Sequence, residues 1–154
     1  MRFPLASNVI RRNSLHNTFG IVRTNKDGSP RPHAGWDFAA HPGTPCYAVA
    51  AGKVVDLRVG EDYGVTLTLD IGGGRWAFYA HLAAVTVGMG DTVAEGQQVA
   101  LTGNTGNAVN MHDADEHLHF EARLVKSPGK GLGGRVSPLA WFGVVPLTVA
   151  VDVP

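Results

Sequence analysis

From Cys46 to Leu124 the chain runs as short β-branched and aromatic stretches cut by glycines, with no sustained helical period and no helix caps. This pattern predicts strands over Cys46–Ala51, Lys53–Val59, Val65–Asp70, Arg75–His81, Gln97–Leu101 and His117–Leu124, and an all-β fold class. A weak internal echo runs through it. Val49-Ala-Ala-Gly-Lys-Val-Val-Asp-Leu57 and Val93-Ala-Glu-Gly-Gln-Gln-Val-Ala-Leu101 agree at five of nine positions, each reading as strand, glycine turn, strand. Segments 1–32 and 125–154 are richer in turn residues, and we expect them to wrap the β core as extensions rather than to form domains. A length of 154 residues fits one domain, 1–154.

Charge changes this picture by exclusion. Thirteen Lys+Arg balance thirteen Asp+Glu, and the only adjacent basic pair singled out is Arg11-Arg12, so the surplus that phosphate neutralisation requires is missing. No nucleic-acid partner is expected. The first twelve residues break at Pro4, Ser7 and Asn8 before an export-signal core forms, which predicts no Sec signal. The longest apolar stretch, Val144–Val153, contains Pro146 and has about half the length needed to span a bilayer; a soluble chain without a membrane span is expected. With Cys46 the single cysteine, there is no intrachain disulfide, and any metal must be held by His and carboxylates.

Three histidine contexts carry candidate chemistry. On a strand, Glu116-His-Leu-His-Phe-Glu121 sends His117, His119 and Glu121 to one face and Leu118 and Phe120 to the other. In His33-Ala-Gly-Trp-Asp37, Pro32 and Gly35 oppose a helix, so His33 and Asp37 would converge through a turn or irregular strand. The two segments together offer the two-His, one-Asp composition typical of catalytic zinc with an open position. In Arg75-Trp-Ala-Phe-Tyr-Ala-His81, alternation places Tyr79 and His81 on one face and Trp76 and Phe78 on the other.

These blocks, with Gly43-Thr-Pro45, Tyr47-Ala48, Gly52-Lys-Val54, Tyr79-x-His81-Leu82, Gly90-Asp91, Gly96-Gln97 and Gly103-Asn-Thr-Gly106, appear in an order and composition that resembles the lysostaphin/LytM family of zinc metallopeptidases. The resemblance covers about Phe19 to Arg123. It implies an antiparallel β-sheet core with an open groove and a duplicated hybrid motif, and one Zn²⁺ held by His33, Asp37 and His119. It also implies that His81 and His117 form the catalytic pair, one taking the proton of the attacking water and the other hydrogen-bonding the oxyanion, in an order the residues leave open. The substrate implied is a peptide bond of bacterial peptidoglycan, in crosslinks or in glycine-containing bridges. Tyr79, on the expected face of His81, and Trp36, inside the first motif, are candidates either to contact it or to pack, Tyr79 as a core aromatic and Trp36 below the metal.

Some positions depart from the family pattern. Residues 107–116 lengthen the link before His117 and carry His112, Asp113, Asp115 and Glu116, which predicts an enlarged loop at the groove wall or a solvated acidic loop. Cys46 reads as a buried strand residue, and His16 and His41 as surface or packing histidines. Two other classes compete with the enzyme: a non-catalytic LytM-type wall-binding or regulatory module, and a phosphohistidine carrier domain. For the enzyme, the expected setting is a phage endolysin or an antibacterial effector carried by a machine such as type VI secretion. Either would act in the periplasm or wall of a target bacterium, and the effector would have a cognate immunity protein as partner.

Overall fold

The computed structural model describes residues 1–148, so the last six residues of the Val144–Pro154 tail lie outside it. Eleven strands are present among the described residues: β1 Gly20–Thr24, β2 Pro30–His33, β3 Trp36–Ala39, β4 Pro45–Tyr47, β5 Gly52–Gly60, β6 Gly64–Gly72, β7 Arg75–Val85, β8 Thr92–Val93, β9 Gln98–Thr102, β10 His117–Arg123 and β11 Arg135–Val136. Among the described residues one α-helical turn, α1, spans Leu139–Phe142, and Gly143 in the left-handed region ends it. The fold is all-β, as its glycine-punctuated pattern predicts.

Every pairing is antiparallel. β1 and β2 form a separate hairpin, and the main sheet runs β11-β10-β7-β6-β5-β8, with β3 also on β10, β9 on β7 and β4 on β9. The internal echo has a structural counterpart. β4 leads through a bend into β5 and β8 leads through a turn at Gly96 into β9, yet β4 pairs with β9 and β8 with β5. Each unit thus supplies the partner that the other lacks. The expected strand Cys46–Ala51 is correspondingly shorter, because after Tyr47 the backbone leaves the ladder to bond Gln97 O through Ala48 N and to accept from Gly96 N.

One face of the main sheet is apolar. Trp36 and Phe38 of β3, Leu67 and Leu69 of β6, Tyr79 of β7, and Leu118 and Phe120 of β10 are all buried on it. Their rings meet edge-on or tilted, with centroids 6.0 Å apart for Trp36–Phe38, 6.3 Å for Phe38–Phe120 and 5.3 Å for Tyr79–Phe120. Such pairs add about 0.5–1.5 kcal/mol each beyond burial. The termini close this face. Leu5 and Ile10 are buried there, Ile10 N donates to Pro146 O, and Phe3, Trp141, Phe142 and Leu147 pack against it. The opposite face, at His117 and His119 of β10 and His81 of β7, is the floor of a groove of about 1430 Å³.

Candidate metal centre and groove

β10 is buried along its whole length, and its alternation does what the sequence pattern predicts: Leu118 and Phe120 enter the core while His117, His119 and Glu121 take the opposite face, where His117 and His119 line the groove and Glu121 is buried beneath it. β3 lies beside it in a register that sets Asp37 opposite His119. His33 ends β2 and reaches the same place because Ala34-Gly35 folds β2 directly into β3. A Cβ on Gly35 would lie 2.1 Å from Phe120 O, so only glycine lets this junction cross β10 so closely.

His33 Nε2 stands 3.1 Å and His119 Nδ1 2.9 Å from Asp37 Oδ1, and one ligand atom from each of the three residues falls within 4.8 Å of the others. Each donor is oriented by a further partner. His33 Nδ1 donates to Thr18 O at 2.7 Å, which leaves its Nε2 lone pair for a metal. Asp37 Oδ2 is occupied by Arg23 at 3.0 Å and Arg11 at 3.3 Å, so Oδ1 alone faces the imidazoles. His119 Nε2 donates to Glu121 Oε1 at 3.0 Å, fixing the tautomer that frees Nδ1. Two imidazole nitrogens and one carboxylate oxygen, each with its second hydrogen bond made, suit zinc with an open position.

The charges follow from this packing. Burial disfavours the Asp37 carboxylate, yet the charge of His117 and the hydrogen bonds from His119 and His33 hold it well below the usual range. Burial likewise opposes protonation of His119, but its bonds to Asp37 and Glu121 outweigh it and raise the pKa to about 9. A metal and a proton would compete for the same nitrogen there.

His81 and His117 stand beside the trio with ring centroids 5.1 Å apart. His117 Nδ1 donates to Asp115 O and His81 Nδ1 to Thr105 O, each at 2.8 Å, so both rings keep a free Nε2; that of His117 is 3.7 Å from Asp37 Oδ1. Burial lowers both pKa values, and the neighbouring His119 and His117 help push His81 down to about 4. Burial thus favours the neutral form of each ring.

His81 arrives by a route that alternation misses. By simple alternation it would share the core face with Tyr79. Instead its φ is +59°, its N–H turns to Tyr63 O at 2.8 Å, and β7 carries an extra residue between the pairs Leu67–Tyr79 and Val65–Leu82. This β-bulge turns the imidazole over to the groove face. The expectation that Tyr79 and His81 share a face is thus corrected. So is the expectation that Tyr79 and Trp36 contact substrate: Tyr79 is fully buried with its hydroxyl bonded to Tyr47 O and Val49 N, and Trp36 packs between Phe38 and Phe142. Neither lines the groove.

Sequence reasoning passed over Arg11, Arg23, Tyr63 and Arg135, all of which line the groove. Arg11 and Arg23 also share Asn17 Oδ1, at 2.5 and 2.9 Å, which keeps the two guanidiniums together on Asp37. The Arg11-Arg12 pair was visible as a charge pair; its division of labour was not. Arg12 points away to a bidentate bond with Asp115 at 2.8 and 2.9 Å. The 107–116 segment contributes Asn107 and Met111 to the groove, while Glu116 turns outward to His41. His16 lies exposed on the rim, and Cys46 is buried with its thiol pushed up to about 12 by burial. Arg31 and Lys130 also line the groove, and neither forms an ion pair among the described residues.

Comparison with known proteins places these features. The profile of peptidase family M23 matches residues 31–130. The peptidoglycan DD-endopeptidase ShyA of Vibrio cholerae serotype O1 is 37% identical over 90 residues, which make up 58% of this chain and 20% of ShyA. A crystal structure of a zinc-containing peptidase from Vibrio cholerae superposes with a TM-score of 0.71 at 27% identity, covering 99% of this chain and 40% of that one. The catalytic domain of the antimicrobial peptidase lysostaphin from Staphylococcus simulans gives a TM-score of 0.68 at 27% identity, covering 82% and 90%. The chain spans about a fifth of the length of the curated relatives it matches.

Proposed function

The chain belongs to peptidase family M23, and from that premise we propose that it is a zinc endopeptidase hydrolysing peptide bonds of bacterial peptidoglycan. The observation that carries this reading is the convergence of His33 Nε2, Asp37 Oδ1 and His119 Nδ1 beside two imidazoles anchored on carbonyls. Those three atoms would hold the ion. Zinc supplies Lewis acidity, polarising a carbonyl oxygen and bringing the pKa of water near neutrality. Arg11 and Arg23 occupy Asp37 Oδ2 and so turn its Oδ1 toward the centre, and Glu121 does the corresponding work for His119. One of His81 and His117, entering with Nε2 free, takes up the proton released by the attacking water and returns it to the leaving amine. The other, entering protonated, donates through Nε2 to the oxygen of the scissile carbonyl.

Within peptidoglycan the groove favours stem-peptide crosslinks over glycine bridges. Arg31 and Lys130 add two uncompensated cations to its lining, against the exposed Asp62. Stem peptides bring carboxylates to meet them, whereas a glycine bridge brings none along its length. The finer biological reading is an antibacterial one, a delivered effector with an immunity protein seated on the groove, or a phage lysin. The likeness to lysostaphin, described as an antimicrobial peptidase, supports it. Tight capture of an inhibitory partner would decide for the effector, and lysis without any inhibitor for the lysin.

The central test is digestion of purified sacculi followed by mass spectrometry, beside His81→Ala and a chelated control. New amine termini at a crosslink, lost in both controls, support the reading; intact zinc-loaded protein that releases nothing from several wall types sinks it. Replacing Arg31 and Lys130 by Gln should raise KM for crosslinked stem peptides by about ten-fold, the effect of roughly 1.4 kcal/mol, and leave kcat near its starting value.

A further inference from the structure

Glu121 is fully buried and accepts four hydrogen bonds. Its Oε1 takes His119 Nε2 at 3.0 Å and the Tyr63 hydroxyl at 2.7 Å; its Oε2 takes Arg123 Nε and Arg135 Nε, each at 2.7 Å. The two arginines look equivalent from the carboxylate and differ beyond it. Arg123 stacks on the Phe78 ring, 3.6 Å from its centroid, and its one further bond goes to Lys126 O at 3.3 Å, outside the groove lining. Arg135 instead spends Nη1 on the carbonyls of Gly129 at 2.7 Å and Gly131 at 2.8 Å, and both glycines line the groove.

The geometry points to Arg135 as a positioning residue that ties the wall formed by residues 128–131 to the orientation of His119, through Glu121. A guanidinium suits this task because its donors are fixed in one plane: a bond to a carboxylate on one edge dictates where the other edge can hold carbonyls. The glycine-rich loop has little side-chain packing of its own, and the buried Arg135 side chain is what gives it a defined backbone. Residue 135 lies past the end of the M23 match at residue 130. Arg123 serves as the internal contrast, since it neutralises the same carboxylate without reaching the groove.

The test compares Arg135→Met with Arg123→Met in the full chain, using zinc affinity by chelator competition, amide hydrogen exchange over 126–134, and steady-state kinetics on crosslinked stem peptides. Both variants should lose zinc affinity about ten-fold or more, the scale on which outer partners of metal ligands act. Only Arg135→Met should speed exchange of the loop amides, by about ten-fold or more, and only it should raise KM several-fold beyond what its zinc loss explains. Should Arg135→Met fail to accumulate folded, Arg135→Lys carries the test: its ammonium still neutralises Glu121, so zinc affinity stays near wild type, while loop exchange and KM rise. Equal behaviour of the two Met variants in loop exchange overturns the inference, as does a Lys variant whose loop exchanges like wild type. The KM arm rests on the peptidoglycan reading; the zinc and exchange arms do not, so failure of that reading leaves them standing as separate results.

Discussion

β10 and β7 lie side by side under the groove and deliver histidines to the same place by different means. β10 keeps strict alternation, so His117 and His119 share a face because they are two residues apart. β7 abandons alternation at its critical point: Tyr79 and His81 are also two apart, yet a left-handed residue and an extra position in the ladder put them on opposite faces. The first strand spends nothing on its geometry. The second holds a non-glycine residue in a region that costs roughly 1–2 kcal/mol for an L-residue, offset by the bonds from His81 N to Tyr63 O and from Nδ1 to Thr105 O. Regular strands position ligands cheaply, and bulges re-aim a side chain where regularity would bury it.

The contrast is broken most severely from the β10 side. His119→Ala removes one of the three donors and should bring turnover down to the chelated background, with less than stoichiometric zinc by elemental mass spectrometry of the purified protein. His81→Ala, on β7, should keep its zinc and lose kcat by about 10²–10⁴-fold, the usual worth of a positioned acid–base group. If instead His81→Ala loses zinc as His119→Ala does, the division between a metal donor on β10 and a proton-transfer group on β7 fails.

Smaller changes sharpen it. Gly35→Ala drives a methyl group into Phe120 O at the β2–β3 junction, where the partner atom is backbone and cannot swing aside. Chemical denaturation should show a loss of about 1–3 kcal/mol, typical of overpacking, with zinc affinity falling as His33 and Asp37 shift. The finest test concerns the bulge alone. His81→Gly and His81→Ala both lack the imidazole, but glycine occupies φ near +59° freely, so the Gly variant should be more stable than the Ala variant by about 1 kcal/mol in the same denaturation assay. Equal stabilities would mean that the left-handed backbone at residue 81 is not retained once the imidazole is gone.

Much of the molecule was legible without coordinates because it rests on local periodicity. The all-β class, the strands β5, β6, β7, β9 and β10, and the face shared by His117, His119 and Glu121 each follow from patterns a few residues long. The short strands β1, β2, β3 and β11 carry too little pattern to be seen, since proline and exposed polar residues occupy much of β1 and β2 and β11 has only two residues. The resemblance singled out His33, Asp37 and His119, and the geometry brings them together. Trp36 and Tyr79 were misread for opposite reasons. Trp36 lies beside a ligand in sequence but behind it in the fold, and Tyr79 was assigned its face by an alternation that His81 breaks.

What the chain's own pattern determined, then, is which segments become strands and which side chains share a strand face, because a period of two is a property of neighbouring residues. Only the tertiary structure decided that Arg11 and Arg23 meet on Asp37, that Tyr63 and Arg135 meet on Glu121, and that His81 turns toward His117. The physical reason is the same in each case. An arginine's reach, a buried carboxylate's need for donors and a bulge's extra residue are satisfied by partners 14 to 58 positions away, and no local pattern records them.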